Sequence, residues 1–381
     1  MFADSDEHAL IRDTVREFGR EEIAPVARDY DEPGETAFPW DIFEQAAELG
    51  FLGPHYPEEY GGSGMDFLST IIIHEEFNRA DPGIGTAVLS AKFGTEMVLE
   101  YGTDDQCREY VKPVLEGEMA CGSAITEPGG GSDVASMKTT ATKDGDEWIL
   151  EGSKTWASTS PVADYMVVLA KTTEAEGYGG ITAFVVPTET EGFTVERKLE
   201  KMGLRASPTA EIAISGARVP AENVVGEIDE GFYQLMNFFN ENRIIAAANA
   251  LGAAIGAFHH AREYAMEREA FGQEIDQFQG IQWKLADMAT KIETARSVLY
   301  RAAREFDRGN RAPLLASIAK YYTSEITEEV CSEAIQIHGG YGFSRDYPVE
   351  KYYRDSRVQK IVEGTSEIQK NVIFENLDRI D

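Results

Sequence analysis

The spacing of apolar residues divides this chain of 381 residues into three regions. In the first third, Leu10, Ile11, Val15 and Phe18 recur at the spacing of an amphipathic helix. Similar patterns predict further helices over residues 41–50, 66–80, 86–101 and 104–116. Beyond residue 120, short branched and aromatic runs alternate with Gly and Asp turns, which predicts strands at residues 148–150, 165–169, 181–186 and 211–214.

Helical spacing returns after Gly231 and continues to the C-terminus. It predicts long helices over residues 232–266, 280–308 and 313–338, and a last helix near Ser366, where Ser366 and Gln369 have the spacing of a capping box. Long helices with short connections are typical of an antiparallel bundle. We therefore predict an α+β chain with a helical domain (1–119), a β-barrel-like or sandwich domain (120–228) and a C-terminal four-helix bundle (229–381).

Charge and composition exclude several classes of function. The net charge of −32 disfavours nucleic acid and anionic lipid as partners. The acidic residues are spread along the chain, which favours a halophilic protein over an ordinary acidic enzyme. The three distant cysteines and the scattered histidines predict neither a disulfide framework nor a metal site. With no apolar run of membrane-spanning length and no recognisable signal peptide, we expect a cytoplasmic protein.

Three segments carry candidate binding chemistry, and each has a purely structural alternative. Residues 124–136 hold three consecutive glycines between Thr126 and Ser132, which suits either a ligand loop or a flexible hairpin. Trp156 and Ser158 could lie against a flat ring, or Trp156 could be a core residue. The glycines of residues 336–343 could admit a ligand or simply end a helix. None of these segments is a dinucleotide fingerprint.

The fourth segment contains the candidate catalytic base. Glu363 precedes the predicted cap of the last helix and follows the apolar residues Ile361 and Val362. A carboxylate in an apolar pocket has a raised pKa, which suits a general base. The neighbouring Glu367 is explained by the positive end of the helix dipole, and Ser366 and Gln369 by capping, so Glu363 is the residue left for chemistry.

Together, in this order, the four segments resemble the acyl-CoA dehydrogenase family, and the stretch from Arg268 to Gln279 resembles its flavin-contact segment. The resemblance implies FAD, an acyl-CoA substrate, an electron-transfer flavoprotein as acceptor, and a homotetramer or a dimer. It implies substrate contacts at Ser132, Asn240, Arg243 and Gly364. It implies flavin contacts at Ile125, Thr126, Gly131, Ser132, Trp156, Ser158, Arg268, Phe271, Phe278, Gln279, Gln336, Gly339, Gly340, Thr365 and Glu367.

The same resemblance implies that Glu363 takes the α-proton of the acyl chain while a hydride leaves the β-carbon. Some family members carry the base on a helix instead, but the matching position here is Asn242, which cannot act as a base. The adjacent Glu241 points elsewhere on that helix. Two rivals stay open at this point: an acyl-CoA oxidase-like flavoenzyme, and a relative that binds acyl-CoA without turnover.

Overall fold

The N-terminal region is helical, as predicted. The computed structural model describes residues 5–32, 38–174 and 178–379. The helices of this region are α1 (Asp6–Phe18), α2 (Trp40–Glu48), α3 (Phe67–Ala80), α4 (Pro82–Leu89), α5 (Thr95–Tyr101), α6 (Asp104–Gln106) and α7 (Lys112–Leu115). The prediction of a single helix over residues 86–101 is wrong, because this stretch is divided between two helices, α4 and α5, joined by a non-helical segment. Gly94 lies there with φ +120°, and a Cβ on it would be 2.7 Å from Ser123 Oγ.

The middle region is one eight-stranded sheet, whose strands are β1 (Cys121–Ala124), β2 (Thr140–Asp144), β3 (Glu147–Ser158), β4 (Tyr165–Lys171), β5 (Ile181–Pro187), β6 (Phe193–Lys198), β7 (Thr209–Pro220) and β8 (Val224–Val225). Their order is β6-β7-β3-β2-β4-β5-β8, and β1 pairs in parallel with β4. The strands β1, β2, β6 and β8 have no match among the predicted runs.

Burial explains which strands the apolar pattern could reveal. Val167 on β4 and Val185 on β5 pack with the N-terminal helices, whereas Val168 and Val186 pack in a second core formed by side chains of the β domain itself. Both faces of β4 and β5 are therefore covered, so these strands are continuous apolar runs. By contrast, β2 buries one of its five residues and β6 one of its six, and neither shows an apolar run.

The C-terminal region contains the long helices α8 (Gly231–Glu267), α9 (Gln279–Asp307) and α10 (Pro313–His338), the shorter α11 (Val349–Ser356) and α12 (Ser366–Glu375), and a small hairpin of β9 (Glu269–Ala270) and β10 (Gln273–Glu274). The helix α8 packs against α3, α9 and α10. At Gly252, a Cβ would lie 2.2 Å from the carbonyl oxygen of Glu75, so glycine permits the close approach of α8 to α3.

Helix α8 is long and apolar enough, by length and composition, to cross a membrane, but 83% of its apolar window is buried inside the protein. That burial is expected of the central helix of a helical core. The last helix, α12, has ten residues and is much shorter than the other members of the bundle.

Candidate active site

Glu363 lies on a strained turn immediately before α12. Its backbone has φ +52° and the following Gly364 has φ +86°. A non-glycine residue in this region costs about 1–3 kcal/mol and persists where its surroundings hold it. Here the side chain of Gln369 donates from Nε2 to the carbonyl oxygens of Glu363 (2.9 Å) and Gly364 (3.0 Å), and Lys320 Nζ donates to the Gly364 oxygen at 2.7 Å.

These contacts correct the predicted capping box. The residue that caps α12 is Thr365, whose hydroxyl accepts from the Ile368 backbone amide at 3.3 Å. Ser366 Oγ instead donates to Glu325 on α10 at 2.7 Å. The helical spacing located the start of α12 correctly, but Gln369 fastens the turn of Glu363 and does not cap the helix. Gln369 therefore fixes the backbone that carries the Glu363 carboxylate, a contact that its spacing in the sequence did not indicate.

The Glu363 carboxylate is held in a state suited to proton transfer. Its Oε2 atom is buried and has no hydrogen-bond partner among the described residues. Burial raises the pKa of Glu363 from an ordinary 4.5 to about 7, against the opposing charges of Lys320 and Arg243, and the nearby Glu96 raises it further. A carboxyl group that titrates near neutrality can accept or donate a proton with little bias.

The two rival positions on α8 are occupied differently. Asn242 is buried and donates to the Phe238 carbonyl oxygen at 3.1 Å, so it acts as an internal helix contact. The Oε1 atom of Glu241 lies 3.2 Å from Nε2 of the His55 ring. The Nδ1 atom of the same ring lies 2.7 Å from Thr70 Oγ1. The buried Oε1 of Glu241 thus faces an imidazole ring, whereas no basic side chain lies within ion-pairing distance of Glu363 in the described part of the chain.

Two cations act on Glu363 from neighbouring helices. Arg243 on α8 is buried; its Nη1 donates to Asn240 at 3.2 Å, and its Nε has no hydrogen-bond partner among the described residues. Burial lowers the pKa of Arg243, and the charge of Glu363 opposes that change. Lys320 on α10 is also buried. The structure therefore brings Asn240, Arg243 and Gly364 together around Glu363.

The glycine-rich segment after β1 is anchored at both ends. The carboxylate of Glu127 accepts from the backbone amides of Lys138 (2.7 Å) and Thr139 (2.9 Å), and from Lys154 Nζ at 3.1 Å. No described atom of the protein lies within 4 Å of the position that a Cβ would take at Gly129 or Gly130. Internal packing therefore does not explain these glycines, and the loop between the anchors is open.

Trp156 is not a core residue. Its side chain is 61% exposed, and its backbone has φ +58°. The backbone amide of the preceding Thr155 donates to the carbonyl oxygen of Thr126 at 2.9 Å, which joins this part of β3 to the segment containing Ile125 and Thr126. Ser158 Oγ lies 3.3 Å from Thr209 Oγ1. An exposed indole therefore lies beside the glycine-rich segment.

Glu96 on α5, whose charge acts on Glu363, is connected to this loop through β1. The carboxylate of Glu96, which acts on the pKa of Glu363, accepts from the backbone amide of Gly94 at 3.0 Å. The adjacent Phe93 carbonyl accepts from Ser123 Oγ at 3.2 Å, two residues before Ile125. Hydrogen bonds thus lead from Glu96 toward the start of the segment that carries Gly131 and Ser132, both of which are exposed.

A second group of predicted residues lies where α8 ends and α9 begins. The Arg268 guanidinium lies 5.7 Å from the ring centre of Tyr341, next to Gly339 and Gly340. Phe271 is 98% exposed and contacts Phe278 edge to face. Gln279 starts α9, Gln336 lies in the last turn of α10, and an open pocket of about 410 Å³ adjoins Arg268 and Tyr341. No described contact joins this group to Glu363 within one chain.

Sequence reasoning missed Lys320 and the role of Gln369. Lys320 shares the buried face of α10 with Ala316, Thr323 and Thr327, which recur at spacings of three and four. Lysine is rarely buried without a partner. A lysine on an otherwise apolar or small-residue stripe was therefore an available signal of an internal polar contact.

Domain models of one protein family match all three regions of the chain. The N-terminal, middle and C-terminal domains of acyl-CoA dehydrogenase match residues 5–118, 122–217 and 229–377. The chain belongs to the acyl-CoA dehydrogenase family. It is an oxidoreductase with the fold of this family, made of an N-terminal helical, a middle β and a C-terminal helical domain.

Individual relatives are similar over nearly their full length. The chain is 41% identical to a 3-(aryl)acrylate reductase of Clostridium sporogenes, covering 98% of this chain and 99% of that protein. It is 40% identical to the caffeyl-CoA reductase-Etf complex subunit CarC of Acetobacterium woodii, covering 97% of each. The butyryl-CoA dehydrogenase structure from Megasphaera elsdenii matches with a TM-score of 0.95 at 36% identity, covering all of both chains.

Proposed function

We propose that this enzyme interconverts an acyl-CoA thioester and its trans-2-enoyl-CoA, with Glu363 as the acid–base residue. In the oxidative direction, Glu363 takes a proton from the carbon next to the thioester carbonyl, and a hydride leaves the next carbon. The observation that supports this role is the buried, unpartnered Oε2 of Glu363 with its pKa near 7. The backbone amide of Glu363 would polarise the thioester carbonyl, as an oxyanion donor does.

FAD is the cofactor that we propose, and the residues present fit it. The open glycines 129 and 130 allow backbone amides to approach a ligand, and the exposed Trp156 offers an aromatic surface beside the hydroxyl groups of Thr126 and Ser158. The residues that would hold the ring system are Ile125, Thr126, Gly131, Ser132, Trp156, Ser158, Thr365 and Glu367. When bound, the flavin supplies the hydride chemistry, and the protein supplies position and electrostatics.

We propose a homotetramer in which the second group of residues serves a neighbouring subunit's flavin. Arg268, Gln279, Gln336 and Gly340 would hold the adenosine and pyrophosphate, with Phe271, Phe278 and Gly339 around them. Support comes from the exposed aromatic side chain of Phe271 and from glycines 339 and 340, at which a Cβ would meet no described atom within 4 Å. Sedimentation of the holoenzyme tests this assembly, and a monomer that retains FAD would contradict it.

Direction and acceptor belong to the same proposal. Two relatives are named as reductases and one of them as part of an Etf complex, which supports an electron-transfer flavoprotein as redox partner in either direction. Reduction of an enoyl-CoA is the second candidate, since a carboxyl group with a pKa near 7 is populated in its protonated form as well. Bleaching of the flavin by a panel of acyl-CoAs, and its reoxidation by enoyl- and arylacryloyl-CoAs, would identify the substrate class.

The decisive experiment replaces each carboxylate by its amide. Glu363→Gln should retain FAD and bind acyl-CoA but lose about 10²- to 10⁴-fold or more in the rate of flavin reduction. Glu241→Gln is the matched control, because it removes a buried carboxylate two residues from Arg243 and should cause a far smaller loss. The assignment is wrong if Glu363→Gln reduces its flavin at the normal rate.

Two further measurements separate the rival functions. An oxidase would release peroxide from acyl-CoA in air without another acceptor, whereas the proposed enzyme should reoxidise slowly. A protein that binds acyl-CoA without turnover should purify without flavin absorbance. Yellow protein whose flavin is bleached by acyl-CoA and reoxidised by an electron-transfer flavoprotein would exclude both rivals.

A further inference from the structure

Lys320 is a buried cation beside the base whose role the proposed reaction leaves unassigned. It lies near the start of α10, with 0% of its surface exposed, on the face shared with Ala316, Ser317 and Thr323. Burying an ammonium group costs several kcal/mol unless partners compensate for the lost water. A hydrophobic or polar neutral residue would fill this position at lower cost, so the charge requires an explanation.

The hydrogen bond of Lys320 leads directly to the base. Its Nζ donates to the carbonyl oxygen of Gly364 at 2.7 Å, on the residue that follows Glu363. Gln369 holds the same carbonyl from α12, so the strained turn is fixed from two elements. No ion pair of Lys320 is formed within the described residues, which leaves its charge to act on the Glu363 carboxylate.

The electrostatic surroundings define what that charge does. Burial lowers the pKa of Lys320 to about 8, and Glu363 is the largest opposing influence. Reciprocally, Lys320 is the largest influence that opposes the rise in the pKa of Glu363. The charged groups that act on these two residues from the surrounding elements are Arg243 on α8, Glu96 on α5, Glu325 on α10 and Glu367 on α12.

We propose that Lys320 is a positioning residue for the reaction, which holds the Glu363–Gly364 turn through the Gly364 carbonyl and presents a positive charge to the base. Without this charge the carboxylate would be protonated over much of the neutral range. This inference rests on the proposed role of Glu363 but can be tested without turnover, so the failure of one does not imply the failure of the other.

The test is an infrared titration of the Glu363 carboxyl group in the purified holoenzyme. The C=O band of the protonated carboxyl is identified by its loss in Glu363→Gln and is then followed against pH. Lys320→Met removes charge and donor, Lys320→Gln removes the charge but keeps an amide donor, and Lys320→Arg restores the charge. Lys360→Met is the control. Lys360 forms ion pairs with Glu325 (2.8 Å) and Glu328 (2.7 Å), which lie on α10 as Lys320 does, and no described contact joins Lys360 to Gly364.

We expect the pKa of Glu363 to rise by about one unit or more in Lys320→Met and Lys320→Gln, because a nearby opposite charge shifts a carboxyl pKa by about 1–3 units. Lys320→Arg and Lys360→Met should stay near the wild-type value. The acid limb of kcat/KM for the oxidative reaction should move to higher pH by the same amount. An unchanged Glu363 titration in folded Lys320→Met and Lys320→Gln would overturn the proposal.

A reciprocal measurement covers the case in which the neutral variants do not fold. In Glu363→Gln, the loss of the carboxylate should lower the pKa of Lys320, which is followed by NMR of lysine labelled with ¹³C at the ε-carbon. The signal of Lys320 is assigned by its absence in Lys320→Arg. If the Lys320 titration is the same in wild type and Glu363→Gln, the two groups are not coupled and the proposal fails.

Discussion

Two buried lysines in the C-terminal region have opposite electrostatic surroundings. Lys351 on α11 lies between two carboxylates, with Nζ at 2.6 Å from Asp81 and 2.7 Å from Asp355. Lys320 on α10 donates to a carbonyl and forms no ion pair among the described residues. The pKa of Lys351 is raised, because its two carboxylates outweigh burial, whereas burial lowers the pKa of Lys320. The charge of Lys351 is therefore compensated by two carboxylates, whereas the charge of Lys320 has no such compensation.

The difference separates structure from chemistry. The Lys351 cluster joins distant parts of the chain, because Asp81 caps the N-terminus of α4 and Asp355 also accepts from the Leu204 backbone amide at 2.6 Å. Lys320 and Glu363 are both under-compensated, so the pKa of each lies within about a unit of neutrality, at about 8 and about 7. A fully paired charge favours rigidity, while an under-paired charge favours proton transfer and costs stability.

The largest expected effect breaks the compensated cluster. Lys351→Met should lower the free energy of unfolding by about 3–5 kcal/mol, because it leaves Asp81 and Asp355 buried together without a cation. Denaturant unfolding of the holoenzyme measures this loss. Lys360→Met, which removes a partly exposed lysine from its ion pairs, should cost about 0–1 kcal/mol. Equal losses for the two variants would show that Lys351 is not the structural cation described here.

The next effect sharpens the comparison through pH. The folded-state pKa of Glu363 is about 7 against an ordinary 4.5, so between these values the native state binds more protons than the unfolded state. This contribution to stability is therefore complete below about pH 4.5 and is lost as pH rises through 7. Because an amide side chain cannot ionise, the variant Glu363→Gln does not lose this stability and should be more stable than wild type at pH 8 by about 1–3 kcal/mol.

Unfolding of both proteins at pH 5 and pH 8 checks this sign. The advantage of Glu363→Gln should be larger at pH 8 than at pH 5, since only the wild type then holds an unpaired buried carboxylate. In the rate, the same titration should raise oxidative kcat/KM as pH increases through about 7. A stability difference that is the same at both pH values would contradict a raised pKa.

The smallest effect concerns the surface. With a net charge of −32, salt should screen self-repulsion and raise the stability of the whole protein, as expected for a halophilic protein. The differences between wild type and the Lys351 variant should change little, because buried pairs are screened weakly. Unfolding in dilute and in concentrated salt tests both statements. Full activity and stability in dilute buffer would remove the halophilic interpretation.

The sequence predicted the plan of the molecule because that plan depends on periodic burial. Helices α8, α9 and α10 lie within one residue of their predicted ranges, and the apolar runs of β4 and β5 mark strands covered on both faces. The pattern failed where burial is partial, as in β2 and β6, and where the backbone leaves the helical conformation between α4 and α5, as at Gly94 with φ +120°. The boundaries at residues 119 and 228 stay a prediction.

The active site divides in the same way. Glu363 was recognisable as the candidate base from its place before a helix start and from Asn242 at the competing position. The inference from its apolar neighbours is wrong, because Ile361 and Val362 are exposed. The glycine-rich loop and Trp156 were recognisable as candidates, but their structural alternatives could be weighed only once Trp156 was found exposed and the loop anchored through Glu127. The Thr365 cap, one residue earlier than predicted, depended on the φ and ψ angles of the chain.

By itself, then, the sequence determined the order of helical and β regions. It also singled out Glu363 as the candidate base, a role that stays a prediction. Only the tertiary structure decided that this carboxylate is unpaired, that Glu241 lies beside the His55 ring, and that Lys320 donates to the turn of Glu363. The physical reason is the separation along the sequence between the residues that interact. Periodic burial is written in residues three or four positions apart, whereas the pKa of Glu363 depends on charges from α5, α8 and α10 that meet only when the chain is folded.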